Sequence, residues 1–175
     1  GNNIIAGPYF RGVYLSTNNG VSWTQTALDS TTVYSLAISG NNVFAGTDHS
    51  LRGGGVYLST NNGISWTQTA LNNQYVYSLA VSGNNILAGT YNGVYVSTNN
   101  GVSWTEIGMK NQSVYSLAIS GNNIFAGTYN NGVFLSTNNG VSWTQTALNN
   151  RTVNALTVSG NNIFAGTENG VYLST

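Results

Sequence analysis

The sequence predicts an all-β protein built from about four and a half copies of a unit of about 39 residues. Its four tryptophans lie 43, 38 and 39 residues apart, and the tetrapeptide Ser-Gly-Asn-Asn begins at Ser39, Ser82, Ser120 and Ser159. Short runs of β-branched and aromatic residues are separated by turns rich in Asn and Gly. No run has the length and the 3.6-residue period that would indicate a helix.

Each complete unit divides into four predicted strands. In the copy that starts at Thr32 we expect strands over residues 33–39, 43–47, 55–60 and 64–71. Asn-Gly pairs at the joints favour tight hairpins, because a type I′ turn needs two residues with positive φ. One such sheet cannot bury both of its apolar faces, so the sheets are predicted to stack around an axis as the blades of a β-propeller. A β-solenoid is the alternative, although its coils are usually shorter.

The third turn of each unit carries the most specific motif. It reads Ser-Thr-Asn-Asn-Gly-Val/Ile-Ser-Trp at residues 16–23, 59–66, 97–104 and 136–143. This resembles the Asp-box, or BNR repeat, of sialidase-, sortilin-, xyloglucanase- and photosystem-assembly-factor-like propellers, with Asn in place of the box Asp. The resemblance implies a structural turn that the Asn side-chain carbonyl braces, and an indole that is largely buried in the stack. The residues concerned are Asn18, Trp23, Asn61, Trp66, Asn99, Trp104, Asn138 and Trp143.

A single repeat domain is expected over residues 1–175, with units at about 1–39, 40–82, 83–120 and 121–159 and a partial unit at 160–175. The pattern gives eighteen strands, namely three, then three sets of four, then three. Four blades could close if strand 153–159 joined the sheet that begins at Ile4, which would leave one hairpin unpaired. Otherwise the open edges predict either a longer ring or a homo-oligomer that associates through the incomplete terminal blades.

Two of the four loops vary between copies, whereas the Gly-Asn-Asn and Asn-Asn-Gly turns are nearly constant. The variable loops follow the second strand and join the units, so they should share one face of the stack. All charged residues except Glu106 fall in them. Variable loops on a constant scaffold are typical of binding proteins, although drift of exposed loops gives the same pattern. The candidate ligand-binding residues are Tyr9, Phe10, Arg11, Asp48, His49, Arg52, Tyr75, Tyr91, Tyr129 and Arg151.

The composition argues against several classes of partner. Charged residues make up 5% of the chain and its net charge is zero, so the clustered Lys and Arg that nucleic acids require are missing. No apolar run approaches the ~20 residues of a membrane-spanning helix, and there is no cysteine. Asp48 and His49 supply only two ligands where a metal site needs three or four. We predict no metal, no cofactor, and a location outside the cell or at its surface.

The predicted function is a non-catalytic binding or scaffold module that recognises a glycan or a protein through the variable loops. Sialidases of the Asp-box family use three arginines and a Tyr–Glu pair. In this sequence Arg11 is not followed by the Ile-Pro of the sialidase signature, and no Tyr–Glu pair can be assigned. Asp29 and Asp48 are the acids closest to a hydrolase pattern, which needs two carboxylates ~5–9.5 Å apart. The alternatives are a fragment of an Asp-box glycoside hydrolase or sialidase, and a purely structural or engineered repeat array.

Overall fold

The computed structural model describes residues 3–49 and 53–175. Within these ranges the secondary structure is entirely β, and no helix is long and apolar enough to cross a membrane. The strands are β1 (Ile4–Ala6), β2 (Tyr14–Ser16), β3 (Thr24–Gln25), β4 (Val33–Ser39), β5 (Asn42–Thr47), β6 (Gly55–Ser59), β7 (Thr67–Asn72), β8 (Val76–Ser82), β9 (Asn85–Thr90), β10 (Gly93–Ser97), β11 (Thr105–Glu106), β12 (Val114–Ser120), β13 (Asn123–Thr128), β14 (Gly132–Ser136), β15 (Thr144–Gln145), β16 (Val153–Ser159), β17 (Asn162–Thr167) and β18 (Gly170–Ser174).

These strands form five antiparallel sheets in chain order. The first sheet is β1-β2-β3, the next three are β4-β5-β6-β7, β8-β9-β10-β11 and β12-β13-β14-β15, and the last is β16-β17-β18. The predicted unit of four strands is therefore confirmed, and so is the count of eighteen. Closure by strand 153–159 is not adopted, because β16 pairs with β17 and not with β1.

The sheets stack face to face, with their first strands closest together. Strand β4 contacts β8, β8 contacts β12, and β12 contacts β16. Between the second and third sheets the buried core includes Phe44, Val56, Val76, Leu79 and Ile86. The first strand of each unit, namely β4, β8, β12 and β16, therefore lies innermost, and the fourth strand lies at the outer edge.

A glycine in each second strand allows this close stacking. A Cβ atom on Gly46 would lie 2.8 Å from Cγ1 of Val76, and one on Gly89 would lie 2.9 Å from Cγ1 of Val114. Real side chains do not approach so closely, so the Ala-Gly-Thr sequence of the second strand requires glycine at its centre. The valine that opens the next sheet's first strand occupies the space.

The turn that carries Asn in place of the Asp of the Asp-box is held by side-chain hydrogen bonds, as the sequence predicts. In the second copy Oδ1 of Asn61 accepts from the Ser65 amide at 2.9 Å, and the Ser59 hydroxyl accepts from the Gly63 amide at 2.8 Å. The Asn61 amide nitrogen also donates to the Ser65 hydroxyl at 2.8 Å, a bond that Asp could not donate. The same three bonds recur at Asn18, Asn99 and Asn138.

The prediction of equivalent, largely buried tryptophans is wrong for Trp23, which is 42% exposed. Trp66, Trp104 and Trp143 are partly buried, and each packs against one of the core clusters. The predicted fourth strand over residues 64–71 is also shifted, because β7 begins at Thr67 and the indole precedes the strand. The tryptophans are less buried than expected because the fourth strand is the outer edge of each sheet. The indole that precedes this strand packs only against the outer edge of the preceding sheet. Trp23 belongs to the first sheet, and no described sheet lies before it.

Candidate binding face

The two variable loops of each unit lie at the same end of the strands. In the second sheet Val33 pairs with Thr47 and Thr47 pairs with Gly55, which places both loop attachments at one end. Backbone bonds join the loops directly: the Tyr91 amide donates to the Tyr75 carbonyl at 3.0 Å, and the Tyr129 amide donates to the Ser113 carbonyl at 3.0 Å. We call this end the variable face. The opposite end carries the Ser-Thr-Asn-Asn-Gly turns at residues 16–23, 59–66, 97–104 and 136–143, which we call the Asn-box turns, and we call that end the constant face.

A β-bulge sits at the variable end of every first strand. The register shifts between Val33 and Ser35, and the same shift recurs in the next three sheets. The residue inside the bulge has no cross-strand partner, and bulges commonly redirect such a side chain. The bulged residues are Tyr34, Tyr77, Tyr115 and Asn154.

The three bulged tyrosines touch one another across neighbouring sheets. The ring centroids of Tyr34 and Tyr77 lie 5.4 Å apart, and those of Tyr77 and Tyr115 lie 4.9 Å apart in a T-shaped contact. Loop tyrosines extend the group, with Tyr75 6.2 Å from Tyr77 and Tyr129 5.8 Å from Tyr115. We call this group the tyrosine cluster; its members are Tyr34, Tyr75, Tyr77, Tyr91, Tyr115 and Tyr129.

Three phenols of the cluster have raised pKa values. Burial, followed by the neighbouring tyrosines, raises the pKa of Tyr77 to about 12. Burial also raises the pKa of Tyr34, with a smaller contribution from Asp48, and raises the pKa of Tyr115. Each of these phenols therefore keeps its proton at physiological pH and can both donate and accept a hydrogen bond.

Several of the residues predicted from the sequence lie in or beside this cluster. Tyr75, Tyr91 and Tyr129 are members, and the His49 ring lies 5.9 Å from that of Tyr75. Tyr9 and Phe10 form an exposed pair with ring centroids 4.2 Å apart. Tyr9 lies near enough to Tyr34 to contribute to its raised pKa, after burial and Asp48.

The predicted charged residues lie elsewhere or have other partners. Asp48 is buried, and its carboxylate accepts from the Thr31 hydroxyl at 2.9 Å and from the Thr32 amide at 3.3 Å. It therefore braces the loop, and its place among the ligand contacts stays a prediction. Arg151 lies over the Tyr172 ring, 5.1 Å from its centroid, in the last sheet. Arg11 is exposed and adjoins Trp23 in the first sheet, and Arg52 falls outside the described residues.

Catalytic and metal-binding arrangements find little support in the described ranges. Within residues 3–49 and 53–175 no group of three His, Cys, Asp or Glu side chains is placed to hold a metal ion. The acid pair considered from the sequence, Asp29 and Asp48, includes a carboxylate that Thr31 and Thr32 already engage. That carboxylate is poorly placed to activate a water or to attack a sugar.

Sequence reasoning missed Tyr34, Tyr77 and Tyr115 as surface residues. They stand inside the predicted first strands, where a regular alternation assigns them simply to one face of a sheet. The bulge changes that assignment, since the residues on either side of it pair while the tyrosine does not. The signal that was available is the repetition of Val-Tyr-Ser in three of the four first strands, with Val-Asn-Ala in the last.

Comparison with known proteins gives the fold. No family model and no curated protein matches the chain. An ancestral GH74 enzyme superposes with a TM-score of 0.78 at 24% identity, covering 99% of this chain and 29% of that one. The extracellular domain of a putative one component system from B. thetaiotaomicron gives 0.79 at 23% identity, covering 99% and 25%. The structure of YCF48 bound to D1 peptide gives 0.69 at 13% identity, covering 98% and 61%.

The chain thus spans between 25% and 61% of these three proteins, all of which are distant in sequence. Similarity at this level concerns the fold and not the activity. Together with the five stacked antiparallel sheets, it shows that the chain has a β-propeller fold.

Proposed function

We propose that this chain is a non-catalytic binding module that holds a glycan or a protein ligand on its variable face, centred on the tyrosine cluster. The observation that carries the proposal is the continuous contact of six tyrosine rings where the innermost strands meet the variable loops. A structural core would hide such rings, yet Tyr91 is 62% exposed and Tyr129 is 52% exposed.

The chemistry of the cluster suits a neutral ligand with both apolar and hydroxyl-rich surfaces. Tyrosine offers a rigid apolar ring and a polar tip at low cost in conformational entropy. The phenols of Tyr34, Tyr77 and Tyr115 are uncharged at neutral pH, so these rings do not repel an anionic ligand. Neighbouring Asn92, Gln112 and Asn131 supply amide groups on the same loops.

Two wider proposals accompany this one. The braced Asn-box turns support a relationship to Asp-box propellers, in which Asn has replaced the box Asp. A place outside the cell or at its surface is supported by the structural similarity to an extracellular domain.

The test is a paired screen of the 175-residue chain on a glycan array and against a phage-displayed peptide library. The counter-screen uses the double variant Tyr91→Ala/Tyr129→Ala, and the control is Val102→Ala, an exposed change on the constant face. We expect a set of ligands that the wild-type chain and Val102→Ala retain and the double variant loses. Ligands that bind the double variant equally well, or no specific ligand in either format, would contradict the proposal.

A further inference from the structure

The chain offers an oxidant few targets other than aromatic rings. It contains no cysteine and one methionine, against eleven tyrosines and four tryptophans. Thiols and thioethers are common targets of oxidation in proteins, and here they are almost missing. An oxidising equivalent therefore falls mainly on aromatic side chains, and six of the eleven tyrosines are gathered in the tyrosine cluster.

Tyr77 and Tyr115 are the closest pair of rings in the cluster. Their centroids lie 4.9 Å apart at an interplanar angle of 73°, so the edge of one ring faces the other ring. The remaining contacts in the cluster are longer, between 5.4 Å and 6.3 Å. Both side chains are half-buried. Neither ring is therefore enclosed by the protein, and both can turn towards solvent.

The backbone beside this pair is fixed across two sheets. Tyr77 lies in β8 and Tyr115 lies in β12, and these two strands contact each other in the stack. The hydroxyl of Ser78, the residue after Tyr77, accepts from the Leu117 amide at 3.0 Å. The same bond recurs between β4 and β8. The two tyrosines are thus held side by side by bonds that do not involve their own side chains.

Exposed rings connect this pair to solvent. Tyr129 is 52% exposed, and its ring lies 5.8 Å from that of Tyr115. On the other side Tyr91 is 62% exposed and contacts Tyr75, which lies 6.2 Å from Tyr77. An oxidant meets the exposed rings first, and a radical formed there passes inwards because electrons transfer between rings in contact. Oxidation that begins at the surface of the cluster can therefore reach the closest pair.

We propose that the tyrosine cluster is a site of oxidative cross-linking, at which hydrogen peroxide and a peroxidase join Tyr77 to Tyr115 as dityrosine. Each phenol loses one electron and one proton, and the two radicals couple through the ring carbons next to their hydroxyl groups. The hydrogen on each coupled carbon then moves to the phenol oxygen, which restores both aromatic rings. One molecule of hydrogen peroxide takes up the two electrons and two protons and becomes two molecules of water.

The product is a covalent bond between the innermost strands of two neighbouring sheets. The chain has no cysteine, so no disulfide within it joins its sheets. A link between residues 77 and 115 restricts the unfolded chain in the way that a disulfide does. The modification therefore ties together two units of the stack that are otherwise held by packing and hydrogen bonds.

The test is treatment of the dilute 175-residue chain with a peroxidase and one equivalent of hydrogen peroxide, followed by trypsin digestion and mass spectrometry. Trypsin cuts after Lys and Arg, which places Tyr77 in peptide 53–110 and Tyr115 in peptide 111–151. Among the described ring contacts of the cluster, only Tyr77–Tyr115 joins these two peptides. We expect a monomeric chain that is lighter by two hydrogens, and a new product with the summed mass of the two peptides less two hydrogens.

Matched variants assign the link to its two rings. Tyr77→Phe and Tyr115→Phe keep the ring and its packing but lose the phenol, so neither should give the joined peptides. Tyr95→Phe is the control, because Tyr95 lies in the same tryptic peptide as Tyr77 but packs against the buried core and is no member of the cluster. It should give the joined peptides in wild-type yield. Circular dichroism checks that every variant is folded.

The yield from the folded chain is compared with that from the chain unfolded in urea. The joined peptides should form in the folded chain and be lost in the unfolded one, because the fold is what brings the two rings together. No joined peptides, joined peptides in either cluster variant, links only between separate chains, or equal yields from folded and unfolded chains would overturn the proposal. The cross-link does not depend on a ligand, so this proposal and the proposed function fail independently.

Discussion

The turns at the two ends of the strands are held by different kinds of hydrogen bond, although both belong to the same repeat. On the constant face each turn is closed by its own side chains, since Asn61, Ser59 and Ser65 bond to one another and to the turn backbone. On the variable face the loops bond to each other through the backbone and through side-chain pairs that differ between copies, such as Asp48 with Thr31 and Asn131 with Gln112. Under the proposed function the constant face stabilises the fold and the variable face binds the ligand, so substitutions at the two ends should affect stability and binding separately.

The largest effect on stability should come from a substitution that disturbs the packing between neighbouring sheets. Gly89→Ala would put a Cβ 2.9 Å from Val114 Cγ1, beside the bulge that carries Tyr115. We expect a loss of about 1–3 kcal/mol in the free energy of unfolding, as overpacking usually costs, measured by urea denaturation. The matched control is Gly166→Ala, in which the new Cβ would meet only Ala155 at 3.5 Å, an ordinary contact. Equal losses at both glycines would contradict the stacking described here.

The second-largest effect on stability should come from a substitution in the Asn-box turn. Ser59 is buried, accepts from the Gly63 amide and donates to Asn61. Ser59→Ala removes the acceptor of the Gly63 amide and one of the two hydrogen bonds to Asn61 Oδ1, so we expect a loss of about 1–3 kcal/mol in the free energy of unfolding. Asn61→Asp keeps the acceptor for the Ser65 amide and should cost much less. Neither substitution should change the ligand affinity. A loss of affinity in Asn61→Asp, the variant expected to be more stable, would show that a change on the constant face alters binding on the variable face.

Much of the fold followed from the sequence because the repeat reveals it. Strand positions, turn positions and the count of eighteen depend on local signals that recur in register, such as Val-Tyr-Ser-Leu and Asn-Asn-Gly. The burial of the tryptophans did not follow, because it depends on whether a preceding sheet stands beside the outer strand, as it does for Trp66 and not for Trp23. The proposed site was predicted in part: the loop tyrosines Tyr75, Tyr91 and Tyr129 were candidates from the sequence, whereas Tyr77 lies in a bulge that only the strand pairing reveals.

A smaller effect should appear at high pH. The pKa of Tyr77 is raised from 10.0 to about 12 in the folded chain, so the folded state holds this proton more tightly than the unfolded state does. Its contribution to stability is complete below about pH 10 and is lost as the pH rises towards about 12. The free energy of unfolding should therefore fall between about pH 10 and about pH 12, and fall less steeply in Tyr77→Phe. Identical pH dependence in the two chains would contradict the account of the raised Tyr77 pKa.

The smallest effect on stability, and the most direct test of the central claim, comes from Tyr91→Ala/Tyr129→Ala. Both rings are exposed, so the free energy of unfolding should stay within about 0.5 kcal/mol of the wild-type value. Calorimetric titration with the strongest ligand from the screen should show a loss of affinity of at least about tenfold, or about 1.4 kcal/mol. Unchanged affinity, or a loss of affinity that unfolding of the variant explains, would contradict the claim that the tyrosine cluster binds the ligand.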